Sequence, residues 1–149
     1  MAIRSIMHTH LVVVGPGETV AVATKRLAEH ELGALLVMDG DKLVGVFSER
    51  DLVKRVIAAG KDPNTTFVGE VATKDPVTAP VTCEVQDCYR ILKEKNFRHL
   101  PIVSEDGKPV GIVSARDFFQ FMVVGLSQRT DLTDFFANVG TMQIDPYGD

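Results

Sequence analysis

The feature that most constrains this sequence is an internal repeat. When each residue is compared with the one 65 positions later, residues 3–7 fall on residues 68–72 with their apolar positions aligned. Beyond a turn-rich stretch the offset becomes 66, and residues 44–51 fall on residues 110–117 with five of eight positions identical. A chain that repeats itself in this way builds one supersecondary unit twice.

The repeat divides the chain into residues 3–60, residues 68–125 and a tail, 126–149. Apolar residues at helical spacing predict helices over 19–32 and 84–97, with Gly33 and Asn96 as helix stops. Apolar runs on either side of Asp-Gly turns predict two strand–turn–strand units. The predicted strands cover 34–38, 42–47, 100–103 and 109–113, with short leading strands at 12–14 and 77–79. A second helix is predicted over 48–59, and its counterpart begins at Ser114.

The fold class predicted by this order of elements is α+β. Neither copy can cover both faces of its own small sheet, so we expect the two copies to pack sheet to sheet about a pseudo-twofold axis. The seam between them is then the natural ligand cleft, and the sites come in pairs. Residues 61–66 are predicted to be a polar linker.

Composition excludes several classes of function. The 149 residues carry a net charge of -4 and a pI near 5.5, without the basic excess of nucleic-acid binders, so no nucleic-acid partner is expected. The start resembles no leader peptide and no apolar run is long enough to span a membrane. Cys83 and Cys88 are not spaced as a zinc site or a redox pair. We expect a cytoplasmic protein with reduced thiols that needs no metal or cofactor.

The most informative segments are residues 45–51 and 111–117, which both read Gly-x-x-Ser-x-Arg-Asp and cross from a strand into a helix. A helix N-terminus can hold a phosphate, and a Ser hydroxyl and an Arg guanidinium add donors. The Asp carboxylate suits ribose hydroxyls better than phosphate. The residues concerned are Ser48, Arg50, Asp51, Ser114, Arg116 and Asp117.

A purely structural interpretation of the same residues is also open. The spacing from Ser48 to Asp51, and from Ser114 to Asp117, satisfies the capping-box pattern, in which both side chains serve the helix start. The motif alone favours this interpretation. The repeated arginine favours a ligand, because an exposed helix accepts almost any polar residue at that position.

With these segments in view, the chain resembles a tandem pair of CBS domains, the regulatory modules named after cystathionine beta-synthase. The resemblance covers residues 3–125, including the approach segments at 6–7 and 71–72 and the strand at 100–103. It implies a compact disc, often dimerised, whose clefts bind AMP, ADP, ATP, S-adenosylmethionine or NAD. In that pattern the serines face phosphate or ribose and the aspartates hold the ribose hydroxyls. The residues that would wall the adenine are Val13, Ala34, Thr78 and Pro101.

The two copies differ at the entrance to the second main strand. Arg98 and His99 stand in repeat two where repeat one has Gly33 and Ala34. One interpretation is that phosphate is held best near Arg98, His99, Ser114 and Arg116. The other is that both side chains are solvated at a helix C-terminus, where cations are favoured.

Two further groups of residues complete the sequence-based expectations. His8, His10 and His30 are predicted at the surface, and Cys88 in the core. The tail is rich in apolar residues, which either pack on the chain itself or close a homodimer; we favour the dimer. The apolar positions of the predicted tail helix are Leu132, Phe135, Phe136 and Val139.

Three functions remain in order of preference. The first is a non-enzymatic sensor that binds an adenine nucleotide and acts on a separate, unidentified target protein. The second is a nucleotide-independent scaffold or dimerising module. The third, an enzyme, ranks last because the sequence contains no recognisable catalytic constellation.

Overall fold

The computed structural model describes residues 1–127, and these form two similar α+β units. The first runs through β1 (Val13–Val14), α1 (Val20–His30), β2 (Ala34–Asp39), β3 (Lys42–Ser48) and α2 (Glu49–Asp51), which continues as a π-helical segment, Leu52–Ile57. The second runs through α3 (Val68–Val71), β4 (Thr73–Lys74), β5 (Ala79–Pro80), α4 (Val85–Lys95), β6 (His99–Val103), β7 (Pro109–Ser114) and α5 (Ala115–Ser127). A 3-10 turn, Ile3–Ser5, precedes them.

The strands form two small sheets with matching pairing. In the first, β1 runs parallel to β2, and β2 is antiparallel to β3, so that Ala34 lies opposite Ser48. In the second, β5 runs parallel to β6, and β6 is antiparallel to β7, so that His99 lies opposite Ser114. The predicted fold class and the repetition of elements are confirmed.

Three apolar clusters account for the layers. One lies between the first sheet and its helices and includes Phe47. A second lies between the second sheet and its helices and includes Val113. The third joins Leu36 and Val46 of the first sheet with Ile112 of the second, which places the sheets face to face as predicted. Burial of these clusters supplies most of the driving force for folding.

The segment that opens each repeat packs on the other unit. We call residues 3–8 opening segment one and residues 68–74 opening segment two. Ile3 is buried in the core of the second unit, and Val68 in the core of the first. Opening segment two adds β4 to the edge of β3, and His8 forms an antiparallel bridge to Ile112 on the edge of β7. The repeats of the sequence and the packed units of the structure therefore differ by the exchange of these two opening segments.

This exchange explains the glycine that begins each motif. A Cβ atom on Gly45 would lie 2.9 Å from the carbonyl oxygen of Thr73, and one on Gly111 would lie 3.1 Å from that of His8. The first distance is shorter than real Cβ atoms show, and the second is tighter than most Cβ contacts, so glycine at both positions lets the opening segments approach this closely.

Several predicted boundaries need correction. Helix α1 ends at Glu31, whose φ of 53° is left-handed, instead of at Gly33, while Asn96 ends α4 as predicted. The short strand near residue 78 is Ala79–Pro80, and β4 was not predicted because its pairing with β3 depends on the exchange of the opening segments. The linker is docked: Thr66 is buried and its carbonyl accepts from the N–H of Val20 at 2.9 Å.

Four further expectations concern the histidines, the cysteines, the tail and the membrane. His10 and His30 are exposed and Cys88 is buried, as predicted. Burial raises the pKa of the Cys88 thiol, and both cysteines are free. The predicted tail helix around Leu132–Val139, with Phe135 and Phe136, lies outside the described residues. No helix within residues 1–127 is long and apolar enough to cross a bilayer.

Candidate functional site

The two motifs form the same set of hydrogen bonds. The N–H and hydroxyl of Ser48 donate to Asp51 Oδ2 at 2.9 and 3.1 Å, and the N–H of Asp51 donates to Ser48 Oγ at 3.3 Å. The corresponding distances between Ser114 and Asp117 are 2.7, 2.9 and 3.3 Å. Both motifs are thus reciprocal capping boxes, as the structural interpretation predicted. Each box uses only Oδ2 of its aspartate.

A cavity of about 270 Å³ opens beside the first motif. We call it the inter-repeat cleft, because its walls come from both copies of the sequence repeat. The residues lining it are Gly33, Val46, Ser48, Glu49, Arg50, Asp51, Lys54, Arg55, Thr73, Pro76, Val77, Asn96, Phe97, Arg98 and His99.

Positive charge predominates around this cleft. The cationic side chains on its walls are Arg50, Lys54, Arg55 and Arg98, against the two carboxylates of Glu49 and Asp51. Asp51 is buried, and within residues 1–127 its Oδ1 is contacted by the hydroxyl of Thr73 and by Nε of Arg55, each at 3.5 Å. Because both contacts are longer than normal hydrogen bonds, Asp51 Oδ1 retains acceptor capacity toward a ligand hydroxyl.

His99 of repeat two lines the cleft next to Gly33 of repeat one. A Cβ on Gly33 would come within 3.0 Å of its Nε2, so the absence of a side chain at Gly33 makes room for the ring. Burial lowers the pKa of His99; the carboxylates of Asp117 and Asp51 act in the opposite direction, and Arg98 adds to the lowering. The ring is therefore neutral at pH 7.

The structure brings five of the predicted site residues together in the inter-repeat cleft. They are Ser48, Arg50, Asp51, Arg98 and His99. Arg98 and His99 also adjoin the motif of repeat two, with which the sequence associated them, since His99 is paired with Ser114 and the Arg98 carbonyl accepts from the N–H of Ala115 at 2.9 Å. The structure adds their approach to the motif of repeat one. The reason is the sheet-to-sheet packing, which brings the entrance of β6 across to the first motif.

The other predicted residues do not line this cleft. Val13 is exposed on β1, and Ala34 is buried between the sheets. Thr78 lines a separate hollow at the hairpin ends, Pro101 is buried in β6, and Arg116 is exposed on α5. Their part in ligand binding stays a prediction.

Sequence reasoning missed several lining residues. Lys54 and Arg55 follow Asp51 by three and four positions, a spacing that places them on the same helical face, so this signal was available. Thr73 reaches the cleft only through the exchange of opening segments. Asn96 and Phe97 reach it only through the packing of the repeats.

The carboxylate of the second motif has a different neighbour. Nε2 of His8 lies 2.6 Å from Oδ1 of Asp117, and the His8 side chain is 61% exposed. The sequence predicted His8 at the surface and gave no partner for it. The contact arises because opening segment one runs along β7.

With this geometry established, comparisons with known proteins identify the family. The CBS-domain model matches residues 3–58 and 68–124. The chain belongs to the CBS-domain family. An uncharacterized 17.7 kDa protein of Acidianus ambivalens is 36% identical over 154 residues, covering 98% of this chain and 92% of its own length. Proteins built from CBS domains are commonly regulatory or sensing modules.

Two further relatives have informative names. Hypoxic response protein 1 of Mycobacterium tuberculosis is 36% identical over 115 residues, covering 76% of this chain and 80% of its own length. A crystal structure of Hypoxic Response Protein I with two coordinated zinc ions matches with a TM-score of 0.70 at 34% identity, covering 80% of this CBS chain and 98% of that chain. A hexameric CBS-CP12 protein from bloom-forming cyanobacteria matches with a TM-score of 0.75 at 29% identity, covering 80% of this chain and 66% of that chain.

The zinc ions of that neighbour prompt a comparison of side chains. Within residues 1–127 of this CBS protein, no three His, Cys, Asp or Glu side chains are grouped as a metal site requires.

Proposed function

We propose that this CBS-domain protein is a regulatory module that binds an adenine mononucleotide in the inter-repeat cleft and acts on a separate target protein. The observation that carries the proposal is the joining of the first motif, Ser48 to Asp51, with Arg98 and His99 of the other repeat around one cavity. A ligand in this position contacts both repeats. It therefore favours the arrangement of repeats that fits it, which a partner can recognise.

The chemistry of the cleft suits each part of a nucleotide. Arg98 and Arg50 supply positive charge for a phosphate, and Oδ1 of Asp51 accepts from a ribose hydroxyl. Phe97 and Val77 offer apolar surface for a base. The cavity of about 270 Å³ lies near the lower end of small-molecule sites, about 300–1,000 Å³. Size therefore supports AMP over ADP, ATP, S-adenosylmethionine or NAD.

Calorimetric titration of the full chain with AMP, adenosine and NAD tests this proposal. We expect AMP to bind most tightly and Asp51→Ala to weaken it about tenfold or more, because hydrogen bonds to charged groups contribute about 1.5–3 kcal/mol. Arg98→Ala should weaken AMP more than adenosine, since its partner is the phosphate. Asp87→Ala, at an exposed aspartate of α4, serves as the control.

Two results would contradict this proposal. If ligand-free protein, verified by native mass spectrometry, binds none of AMP, adenosine and NAD, the sensor proposal is wrong. If AMP and adenosine lose equal affinity in Arg98→Ala, the phosphate lies elsewhere.

The scaffold remains the second candidate, because the motif helices expose apolar side chains at equivalent positions. Val53 and Ile57 lie 66 residues before Phe119 and Val123, and all four are exposed. Two similar apolar faces related by internal symmetry suit a second copy of the chain placed on a twofold axis. We propose a homodimer through these faces.

Light scattering on Phe119→Glu and Val53→Glu variants tests the dimer. Halving of the mass in either variant supports it, whereas an unchanged mass contradicts it. Val22→Glu, at another exposed valine, is the control. A dimer that forms equally well with and without AMP, in a protein that binds no nucleotide, favours the scaffold.

We also propose that the protein is cytoplasmic and is not an enzyme. Its two free cysteines are consistent with a cytoplasmic location.

A further inference from the structure

His8 and Thr73 occupy equivalent positions in the two opening segments. They lie 65 residues apart, and each is paired with the same position of the neighbouring sheet, His8 with Ile112 and Thr73 with Val46. Each side chain also faces Oδ1 of a motif aspartate. The structure thus places a different side chain at one position of two otherwise matching sites.

The two contacts have different strengths. Thr73 Oγ1 is 3.5 Å from Asp51 Oδ1, beyond normal hydrogen-bond length, whereas His8 Nε2 is 2.6 Å from Asp117 Oδ1. Asp117 is buried, and its Oδ2 already accepts two hydrogen bonds from Ser114. Both oxygens of Asp117 therefore have short partners, whereas Asp51 Oδ1 has Thr73 Oγ1 and Nε of Arg55 only at 3.5 Å, and Asp51 lines the inter-repeat cleft.

An imidazole at this place also fills space that a threonine leaves open. The ring lies against the one carboxylate oxygen that the capping box does not use. A ribose hydroxyl that approaches Asp117 must first displace the ring. The motif of repeat one faces no such ring at this position, because the equivalent residue beside it is Thr73.

We propose that His8 closes a second nucleotide site at the motif of Ser114 and Asp117, so that this site binds at least tenfold more weakly than the inter-repeat cleft. The inference rests on the proposed function and assigns the second site the same ligand class, an adenine mononucleotide. His8 is its specificity-determining residue.

The contact between His8 and Asp117 can also open while opening segment one stays folded. The His8 side chain is 61% exposed, so it can rotate into solvent. Its backbone stays paired with Ile112 through two hydrogen bonds of 2.9 and 3.0 Å, and Ile3 anchors the segment in the core. The second site therefore fills only at higher nucleotide concentration, which gives the module two thresholds.

Reciprocal exchange of the two side chains tests this inference. Calorimetric titration with AMP should give one tight site in the wild type and two sites of similar affinity in His8→Thr. Thr73→His should weaken the tight site at least tenfold. His10→Thr, at an exposed histidine of the same region, should behave as the wild type. Two equal sites in the wild type, or an unchanged titration of His8→Thr, would overturn the inference while leaving the first site in place.

Hydrogen exchange without ligand separates this inference from the proposed function. The N–H of Ile112 donates to the His8 carbonyl, so its exchange should accelerate at least threefold in His8→Thr but not in His10→Thr. Absence of that acceleration would show that Asp117 does not hold His8. If neither the wild type nor His8→Thr binds AMP, the proposed function is wrong. The second nucleotide site is then wrong as well, even if the exchange experiment shows that Asp117 holds His8.

Discussion

In repeat one, the motif aspartate keeps one carboxylate oxygen toward a cavity; in repeat two, the same oxygen is covered by a histidine. The motif residues themselves do not cause this difference, because both capping boxes have the same hydrogen bonds. The cause is the residue that the exchanged opening segment brings to each site, Thr73 or His8. Duplicated motifs therefore acquire different surroundings from the segments packed on them, without a change in their own structure.

The largest effect is expected from unequal filling of the two cores. Phe47 and Val113 are equivalent, and both are fully buried. Phe47→Ala should cost about 3–5 kcal/mol and Val113→Ala about 2 kcal/mol, because the cost grows with the apolar volume removed. Chemical denaturation measures both. Equal losses of unfolding free energy would mean that the two cores relax to different extents, and would contradict the expected difference between them.

The next effect concerns the close approach of the opening segments. Gly45→Ala should cost about 1–3 kcal/mol, since a Cβ at Gly45 meets the backbone of Thr73. Gly111→Ala should cost less, because the nearest atom is Sδ of Met7, at the far part of a flexible side chain. Thermal unfolding distinguishes the two variants, at about 2–4 °C per kcal/mol. A larger loss for Gly111→Ala would contradict this account of the exchange.

A smaller, pH-dependent effect is expected from His99, whose counterpart Ala34 does not titrate. Because burial lowers the pKa of His99 below the usual value of about 6.5, the unfolded chain takes up this proton more readily than the folded protein. The stability that neutral His99 contributes is complete above about pH 6.5 and is lost as the pH falls below it.

Unfolding of the wild type and His99→Gln between pH 7.5 and 5 tests this effect. The wild type should lose more stability on acidification than His99→Gln, and the exposed His30→Gln should follow the wild type. Parallel pH profiles for the wild type and His99→Gln would mean that His99 titrates alike in both states.

The smallest effect contrasts an ion pair with apolar packing. In repeat one, Arg26 donates to both carboxylate oxygens of Glu18 at 2.7 and 2.8 Å, while the equivalent residues of repeat two, Cys83 and Ile91, pack on the core. This pairing lowers the pKa of Glu18. Arg26→Met should cost at most about 1 kcal/mol, and less in 1 M NaCl, because the pair is partly exposed and screened. A loss that does not depend on salt would assign the effect to packing.

Local structure follows from interactions between residues that are close in the chain, and it could be predicted from the sequence. Apolar periodicity placed the long helices and main strands within a few residues, and the repeat gave the α+β class and the face-to-face sheets. The spacing from Ser48 to Asp51 determined a capping box, because its atoms are only three residues apart. Such features depend on interactions between neighbours in the chain, which a sequence shows directly.

The tertiary structure alone decided which residues share a site. Arg98 lines the same cleft as Ser48 because the repeats pack together, and His8 contacts Asp117 because the opening segments are exchanged. Neither placement leaves a periodic or short-range pattern, since the residues lie 50 and 109 positions apart. Burial of apolar surface on both sheets fixes that packing. The chain therefore encodes two equal motifs, and the packing of the repeats makes their surroundings unequal.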